Sequence, residues 1–584
     1  MTVPAVGQRE WQQPEGAPPP AVLAPAPAET APDPRGGQGK PLDAVFWAGV
    51  LAATLLLIWS TLTTRIDSVG DEAFSMARLL PPTYWAGFAL LLASTILWYF
   101  RGETKAFHFL LVALWIGYLF LGPELMEAHP RAISSYGHAW GIGYVLEGRG
   151  REFVYFPWLG FHYAFAAVGE LTDIGYLTMI RVGMLVLYLA LAVGMVAFFG
   201  RVLPDKRSIL LATLVALAMF AVLGVSFTPH QMAFGLMLFA FFFLARLDAS
   251  PVVNRLVLIG IFCAILITHG LTALIVVYVA AMAALTRWKP SAVGRWSPST
   301  ASLSLLFATL FVGWLLYSSD FWFATAARSF RDTVLREPIA LISPFSHVSP
   351  ARAGRAEVSS LTFAFLAVLL VWLVSVVARR GFWNDLRRDR LFPLLVVAGM
   401  PVMIMGTGNF TYEGFIRVFF YAIPFLAWFL ARESVARRSG AAFLVVLLGL
   451  GFVILYSREF EELPPSQVFA GANFLVDAAQ VDAAQPNPIA IQGDCLPLAA
   501  ITNTIGAPGT ACPFPRSKDP QTELAPSPGP YTFIVLSEFG ERTATFAFGK
   551  PWWESLRDSV QGEGYAKVYS NGGYDVFTHQ PPSR

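Results

Sequence analysis

Six of the eight histidines in this chain, His129, His138, His162, His230, His269 and His347, fall in loops between long apolar segments or at the ends of those segments. An imidazole in such a place can move a proton near neutral pH, ligate a metal or contact a phosphate. His230 stands in Phe227-Thr228-Pro229-His230 and His269 in Thr268-His269-Gly270-Leu271-Thr272. Two short polar connectors, each bearing a histidine, could line one cavity mouth. The plainer alternative is that Pro229 and Gly270 simply break helices and the imidazoles are solvated caps. Neither His-x-x-x-His nor Cys-x-x-Cys spacing occurs, so the sequence argues for no metal and leaves its identity open.

Carboxylates and arginines extend the pattern. Glu124 and Glu127 are spaced i, i+3 directly after the third apolar segment. If that helix continues, both point the same way, and an acid partly desolvated at a membrane interface suits a general base or a metal ligand. A hydrated helix end is the competing reading. Arg131 and Ser135-Tyr136-Gly137-His138 follow, while Asp71-Glu72 forms a rival pair in a shorter loop. Glu413 and Arg417 are spaced i, i+4 at the start of the twelfth segment, and Arg181 lies near one end of the fourth. Arginine at such depth is costly unless it is paired or faces a polar cavity. Five more arginines (328, 331, 336, 352 and 355) crowd the stretch 319–358. Together they could hold an anionic headgroup, because guanidinium matches phosphate oxygens bidentately. Snorkelling to lipid phosphates is the alternative use of each one singly.

The elements that must position these groups are apolar helices. Hydrophobic residues make up 55% of 584 and charged residues 14%, with mean hydropathy +0.55. Soluble domains carry roughly 25% charge, so the bilayer is the expected solvent for most of the chain. The net charge of +2 is spread among loops and points to no nucleic-acid partner. Apolar segments are expected at 43–63, 84–100, 107–123, 176–199, 208–225, 231–247, 255–268, 271–286, 301–318, 359–378, 391–406, 417–431 and 441–456. That is about thirteen transmembrane helices.

Lys and Arg orient them. With the N-terminus inside, the cytoplasmic connectors carry Arg101/Lys105, Arg201/Lys206/Arg207, Arg246/Arg255, Arg287/Lys289/Arg295, the Arg379–Arg390 cluster and Arg432/Arg437/Arg438. The opposite loops are longer and less basic, which favours that orientation and puts the C-terminal region outside. Residues 1–42, rich in Pro and Ala, read as a disordered cytoplasmic tail. Residues 43–456 form the membrane domain, with outer loops 124–175 and 319–358; Trp158–Leu171 is expected to lie along the interface as a helix. Residues 457–584 read as a small extracytoplasmic α/β domain, with a helix near Pro465–Ala479, strands at Ile489–Gln492 and Tyr531–Leu536, and a terminal hairpin turning at Asn571-Gly572-Gly573. Cys263 reads as inert packing, and Cys495–Cys512 as a plausible disulfide if that region is outside.

Helix centres hold almost no Asp, Glu or Lys, and neither an internal repeat nor a Walker loop is evident, which weakens a transport reading. The remaining arrangement resembles the GT-C superfamily of membrane glycosyltransferases, in particular a poorly characterised prokaryotic group. The resemblance covers roughly residues 43–456. Its carriers are Leu80-Pro81-Pro82-Thr83-Tyr84-Trp85, Pro123-Glu124-Leu125-Met126-Glu127 with Ser135-Tyr136-Gly137-His138, Tyr155 through Phe161, Phe227 through His230, Thr268 through Thr272, and Glu413 through Arg417. The usual Asp-x-Asp or Glu-x-Asp of the first long loop is missing; Ser134-Ser135 stands where an acid would be expected.

The resemblance implies a sugar moved, with inversion, from a polyprenyl-phosphate donor to a glycan, lipid or protein acceptor outside the plasma membrane of a bacterium. Glu124, Glu127 and His138 would be catalytic. Arg181, Arg417, Glu413, His230 and His269 would hold the donor phosphate, helped by arginine or a divalent cation (Mg or Mn). A flippase for lipid-linked glycans would share the outer arginines but should show a path to the cytoplasm. A non-catalytic envelope-assembly protein would tolerate loss of both glutamates.

Overall fold

In the computed structural model, residues 39–66, 75–101, 104–127, 133–148, 150–152, 158–223, 227–247, 251–286, 299–317, 356–378, 388–405, 412–434, 438–457, 490–492, 533–537, 550–562, 564–570 and 574–578 are described. The chain is mostly helical, with a small region of strands near the C-terminus. A helix stands at each of the apolar stretches named above. Five described helices are long and apolar enough to cross a membrane: Leu42–Thr63, Pro82–Arg101, Ala106–Met126, Thr178–Val202 and Thr300–Tyr317. Others, such as Pro229–Leu244 and Gly270–Thr286, are apolar but shorter.

The helices that matter for the site are α1 (Gly39–Thr63), α2 (Ser75–Leu79), α3 (Pro82–Arg101), α4 (Leu110–Ile116), α5 (Gly122–Met126), α6 (Ile133–Leu146), α7 (Gly160–Thr172), α8 (Tyr176–Val202), α9 (Lys206–Leu223), α10 (Pro229–Leu244), α11 (Pro251–Thr268), α12 (Gly270–Thr286) and α13 (Ser299–Tyr317). Helices Ala356–Val377, Arg388–Met405, Tyr412–Ser434 and Arg438–Ser457 follow. Leu, Ala, Val and Phe fill them, and helix closes every backbone hydrogen bond internally, as a lipid environment requires.

The core lies around α9. Leu210 through Ala221 are buried on every side, without the exposed face of an amphipathic helix. Helices Tyr412–Ser434 and Arg438–Ser457 pack against α9, with α4 and α8 also touching it. On Tyr412–Ser434 the stretch Phe420–Ala431 is likewise enclosed, and the helix runs on through Pro424. At the periphery, α1 exposes Leu51, Leu55, Trp59 and Leu62, and α13 exposes Leu305, Val312 and Leu316. Such apolar exposure suits a lipid boundary.

The third apolar segment is irregular. Between α4 and α5 the turn Gly117–Leu121 widens into a π-helix. Such widening frees carbonyls that an α-helix would use. The Tyr84 hydroxyl donates to the Tyr118 carbonyl, and the Tyr118 hydroxyl donates to the Ala53 carbonyl at 2.6 Å. The irregular segment is thereby tied to α1 and α3 just before Glu124.

Three expectations need correction. The helix bearing Glu124 does not continue: α5 stops at Met126, and Glu127 is extended (φ −75°, ψ 140°), bridging to Ile66. The two glutamates therefore do not share a helical face. Cys263 is exposed on α11, not packed inside. Helix α1 starts at Gly39, inside the stretch expected to be disordered. Among the described α-helices, α2, α6 and Lys550–Gly562 had no counterpart among the expected elements.

The strand region has the order β1-β2-β4-β3, from β1 (Ala490–Gln492), β2 (Phe533–Ser537), β3 (Ala566–Ser570) and β4 (Tyr574–Thr578). β1 and β2 are parallel, while β4 is antiparallel to both β2 and β3. These strands fall where the alternating apolar runs place them. Pro465–Ala479, Cys495, Cys512, Asp71-Glu72, Asn571–Gly573 and nearly all of 319–358 lie outside the described residues.

Candidate functional site

The connector Phe227-Thr228 and the start of α10 are built as a helix N-terminus should be. Thr228 is the N-cap and accepts from the Gln231 N–H at 3.4 Å, and Pro229 takes the first helical position. Phe227 fixes the connector in space. Its N–H donates to the Ser135 hydroxyl of α6 at 2.9 Å. Its ring lies 4.8 Å from Phe161 and 4.6 Å from Phe165, both on α7. The ring also rests on Gly183 of α8, where a Cβ would come within 2.2 Å of it.

The second connector is a single residue. His269 joins α11 to α12, and its Nδ1 accepts from the Thr272 N–H at 3.3 Å, the role of a cap for α12. Loop residues close on this corner because two glycines permit it. A Cβ on Gly270 would lie 2.9 Å from the Trp158 ring, and one on Gly160 would lie 2.6 Å from the Thr268 hydroxyl.

These constraints bring the two connector histidines together. His230 and His269 stack with ring centroids 4.9 Å apart and planes 18° from parallel. Tyr421 and Phe420 flank them, with His230 5.5 Å from Tyr421 and 4.2 Å from Phe420, centroid to centroid. The Thr272 hydroxyl lies 2.9 Å from Nδ1 of His269 and 2.7 Å from the Tyr421 hydroxyl. Arg417, one turn before Tyr421, is close enough for its charge to act on both imidazoles. Nε2 of His230 is buried without a hydrogen-bond partner.

A second pair lies alongside. Nδ1 of His138 on α6 is 3.2 Å from Nε2 of His162 on α7, and both residues are buried. Burial holds His162 down from 6.5 to about 3, and burial, then the nearby His162 and His269 rings, holds His138 well below 6.5. The pair is neutral at physiological pH and shares one hydrogen. It can relay or donate a proton; it is poorly suited to carrying a charge.

The predicted residues therefore divide. His138, His230, His269 and Arg417 share one neighbourhood, joined by His162. Glu124 and Glu127 are buried at the end of α5. Arg181 donates to the Glu127 carbonyl at 2.8 Å and so pins the segment that follows α5. Glu413 begins the helix that carries Arg417, and its side chain is outside the described residues, as are His129 and His347. Thr272 and Tyr421 were missed as site residues. Tyr421 is at i+4 from Arg417 and Thr272 at i+3 from His269, spacings that place both on the histidine-facing side of their helices.

Chemically this is an anion-holding arrangement. The N-termini of α10 and α12 carry partial positive charge toward His230 and His269, and Arg417 adds a full one. No three His, Cys, Asp or Glu side chains among the described residues converge as a metal site, so the expected Mg or Mn has no ligand set there.

An apolar groove of about 310 Å³ runs between α7, α8 and α10, on the face of α10 turned away from His230 and Phe234. Phe165 and Val168, Val182 and Val186, Gly235 and Phe239, and Gln231 are among the residues that line it. No family model and no curated protein matches this chain.

Proposed function

We propose that the chain is a multi-pass GT-C-type glycosyltransferase of a bacterial plasma membrane, moving a sugar from a polyprenyl-phosphate donor to an acceptor outside the cell. The proposal takes all thirteen apolar helices as crossings, with the N-terminus inside and the C-terminal strand region outside. The observation that carries it is the convergence of His230, His269, Arg417 and two helix N-termini. A phosphate held there, with a lipid tail that passes over α10 into the apolar groove on its far face, is the ligand chemistry that would use both features.

In this reading the donor phosphate sits against Arg417 and the stacked imidazoles. Glu124 or Glu127 takes the proton of the acceptor hydroxyl as its oxygen attacks the anomeric carbon from the face opposite the phosphate. The bond from that carbon to the phosphate oxygen breaks, the configuration inverts, and the lipid phosphate leaves with its charge held by Arg417 and imidazole N–H groups. The burial of both glutamates supports a base kept away from bulk water. His138 and His162 then serve to position the acceptor and relay its proton. No step uses a metal.

The test is sugar transfer in membranes carrying the wild type or the Glu124→Gln/Glu127→Gln variant at matched expression, across a panel of polyprenyl-phosphate sugars. Transfer by the wild type that disappears in the variant supports the reading. Equal transfer by both removes the glutamates from the chemistry, and absence of transfer by either with every donor favours a flippase or an assembly protein.

A further inference from the structure

A second cluster with binding chemistry lies at the other end of the Ala106–Met126 helix, where His108 is about 24 Å from Glu124 at 1.5 Å of rise per residue. There the end of α3, the start of α1 and the 3-10 turn Ala106–Phe109 meet. Arg101 pairs with Asp43 and places its guanidinium 5.3 Å from the Phe46 ring centroid. His108 is boxed by three rings, Phe46 at 5.2 Å, Trp47 at 6.0 Å and Phe107 at 4.9 Å.

The tautomer of His108 is set by its own turn. The Lys105 N–H donates to Nδ1 at 3.1 Å, so a neutral ring carries its hydrogen on Nε2. That Nε2 is buried with no hydrogen-bond partner, on a residue only 1% exposed, and Nη1 of Arg101 is buried without a partner too. The rings around His108 offer faces but no acceptor atom, and the carboxylate beside Arg101, that of Asp43, is taken by Nη2. Leaving two such donors unmade is costly, more so for the charged one. An oxyanion that reached Nε2 and Nη1, both held at the Phe46 ring, would satisfy them, and the Lys105 ammonium, 5.8 Å from the Phe107 centroid, adds positive charge beside the box. Leu42, Val45, Phe100 and Phe107 are all about half exposed around the cluster. Apolar groups at that exposure suit acyl chains.

We propose that the notch formed by Arg101, Lys105 and His108 binds the phosphate of an anionic phospholipid headgroup. Phe107, the most exposed ring of the box, marks the side of entry. The site is separate from the histidine cluster and does not rest on the glycosyltransferase reading. A lipid held there would pin α1 to α3 at the membrane surface.

Binding to purified full-length protein in detergent is measured by native mass spectrometry, with phosphatidylglycerol, phosphatidylcholine and inorganic phosphate as separate probes. Two variants isolate the donor. His108→Asn keeps an acceptor where Nδ1 stood and loses the Nε2 donor; His108→Gln keeps a donor near Nε2 and loses the cap. The expected result is preference for phosphatidylglycerol over phosphatidylcholine, weakened about tenfold or more in His108→Asn and largely kept in His108→Gln, a tenfold loss corresponding to about 1.4 kcal/mol. Thermal melting of both variants checks that they fold. Equal phosphatidylglycerol binding by wild type and a folded His108→Asn overturns the proposal, as does a His108→Gln that binds no better than His108→Asn. Inorganic phosphate that displaces phosphatidylglycerol fully overturns the lipid assignment.

Discussion

The hydroxyl of Thr272 lies 2.9 Å from Nδ1 of His269 and, on its other side, 2.7 Å from the Tyr421 hydroxyl. With the Thr272 N–H also aimed at Nδ1, the ring is held as the tautomer that carries its hydrogen on Nε2. Thr272→Val keeps the shape and deletes the bridge, leaving the buried Tyr421 hydroxyl short of a partner. The expected cost is about 1–3 kcal/mol of stability, with a larger fall in transfer than in Thr272→Ser, which keeps the hydroxyl. Melting temperature and donor KM, compared across both variants, check this. Thr272→Val indistinguishable from wild type in both would remove the tautomer argument.

Close approach at the α11–α12 corner leaves Gly270 little room for a side chain. A Cβ there would meet three atoms of the Trp158 ring at 2.9–3.0 Å. Gly270→Ala should therefore push Trp158 away and lower stability by about 1–3 kcal/mol. Gly260, where a Cβ would meet nothing within 4 Å, is the control. Its alanine variant should be neutral or stabilising, since alanine favours a helix interior by ~1 kcal/mol. Thermal unfolding of the two variants in the same detergent decides the matter.

The neutral His138–His162 pair predicts a pH dependence of known sign. The folded pKa of His162 lies near 3, below the 6.5 of an unperturbed ring. Below 6.5 the unfolded chain binds a proton that the folded chain refuses, so stability is full above that pH and falls as pH drops from 6.5 toward 3. His162→Phe should flatten this part of the curve, whatever its effect on absolute stability. A melting-temperature profile with the same slope in wild type and variant would show that other groups set the acid limb.

Apolar patterning made the helices legible, because burial in lipid demands long hydrophobic runs, and the strand pairs β3–β4 were legible through alternation and a turn sequence. The sequence also shows that His230 and His269 end adjacent helices. It does not show that they stack, since that follows from Phe227 seating on Gly183 and Trp158 on Gly270, contacts between segments far apart in the chain. The shared face expected of Glu124 and Glu127 failed for a local reason. The Ile66 N–H donates to the Met126 carbonyl at 2.8 Å, which draws Glu127 into an extended bridge and ends the helix. Helix α6 escaped notice because Ile133–Leu146 mixes Ser, Gly and His with apolar residues at no clean period.

If the groove between α7, α8 and α10 receives the lipid tail of the donor, filling it should hurt long-chain donors selectively. Gly235 is the position to fill. A Cβ there would meet only Ala190, at 3.9 Å, so a larger side chain grows into the groove without clash. Leucine is also a better helix former than glycine by roughly 0.8–1 kcal/mol, so Gly235→Leu should fold at least as stably as the wild type. Donor KM should rise about tenfold for a full-length polyprenyl-phosphate sugar, a loss of about 1.4 kcal/mol. It should change little for a donor whose chain is a single short prenyl unit, which leaves the groove empty in both proteins. An equal rise for both donors would mean that the substitution disturbs α10, and His230 with it, rather than the seat of the tail. No rise for either would place the tail elsewhere on the surface.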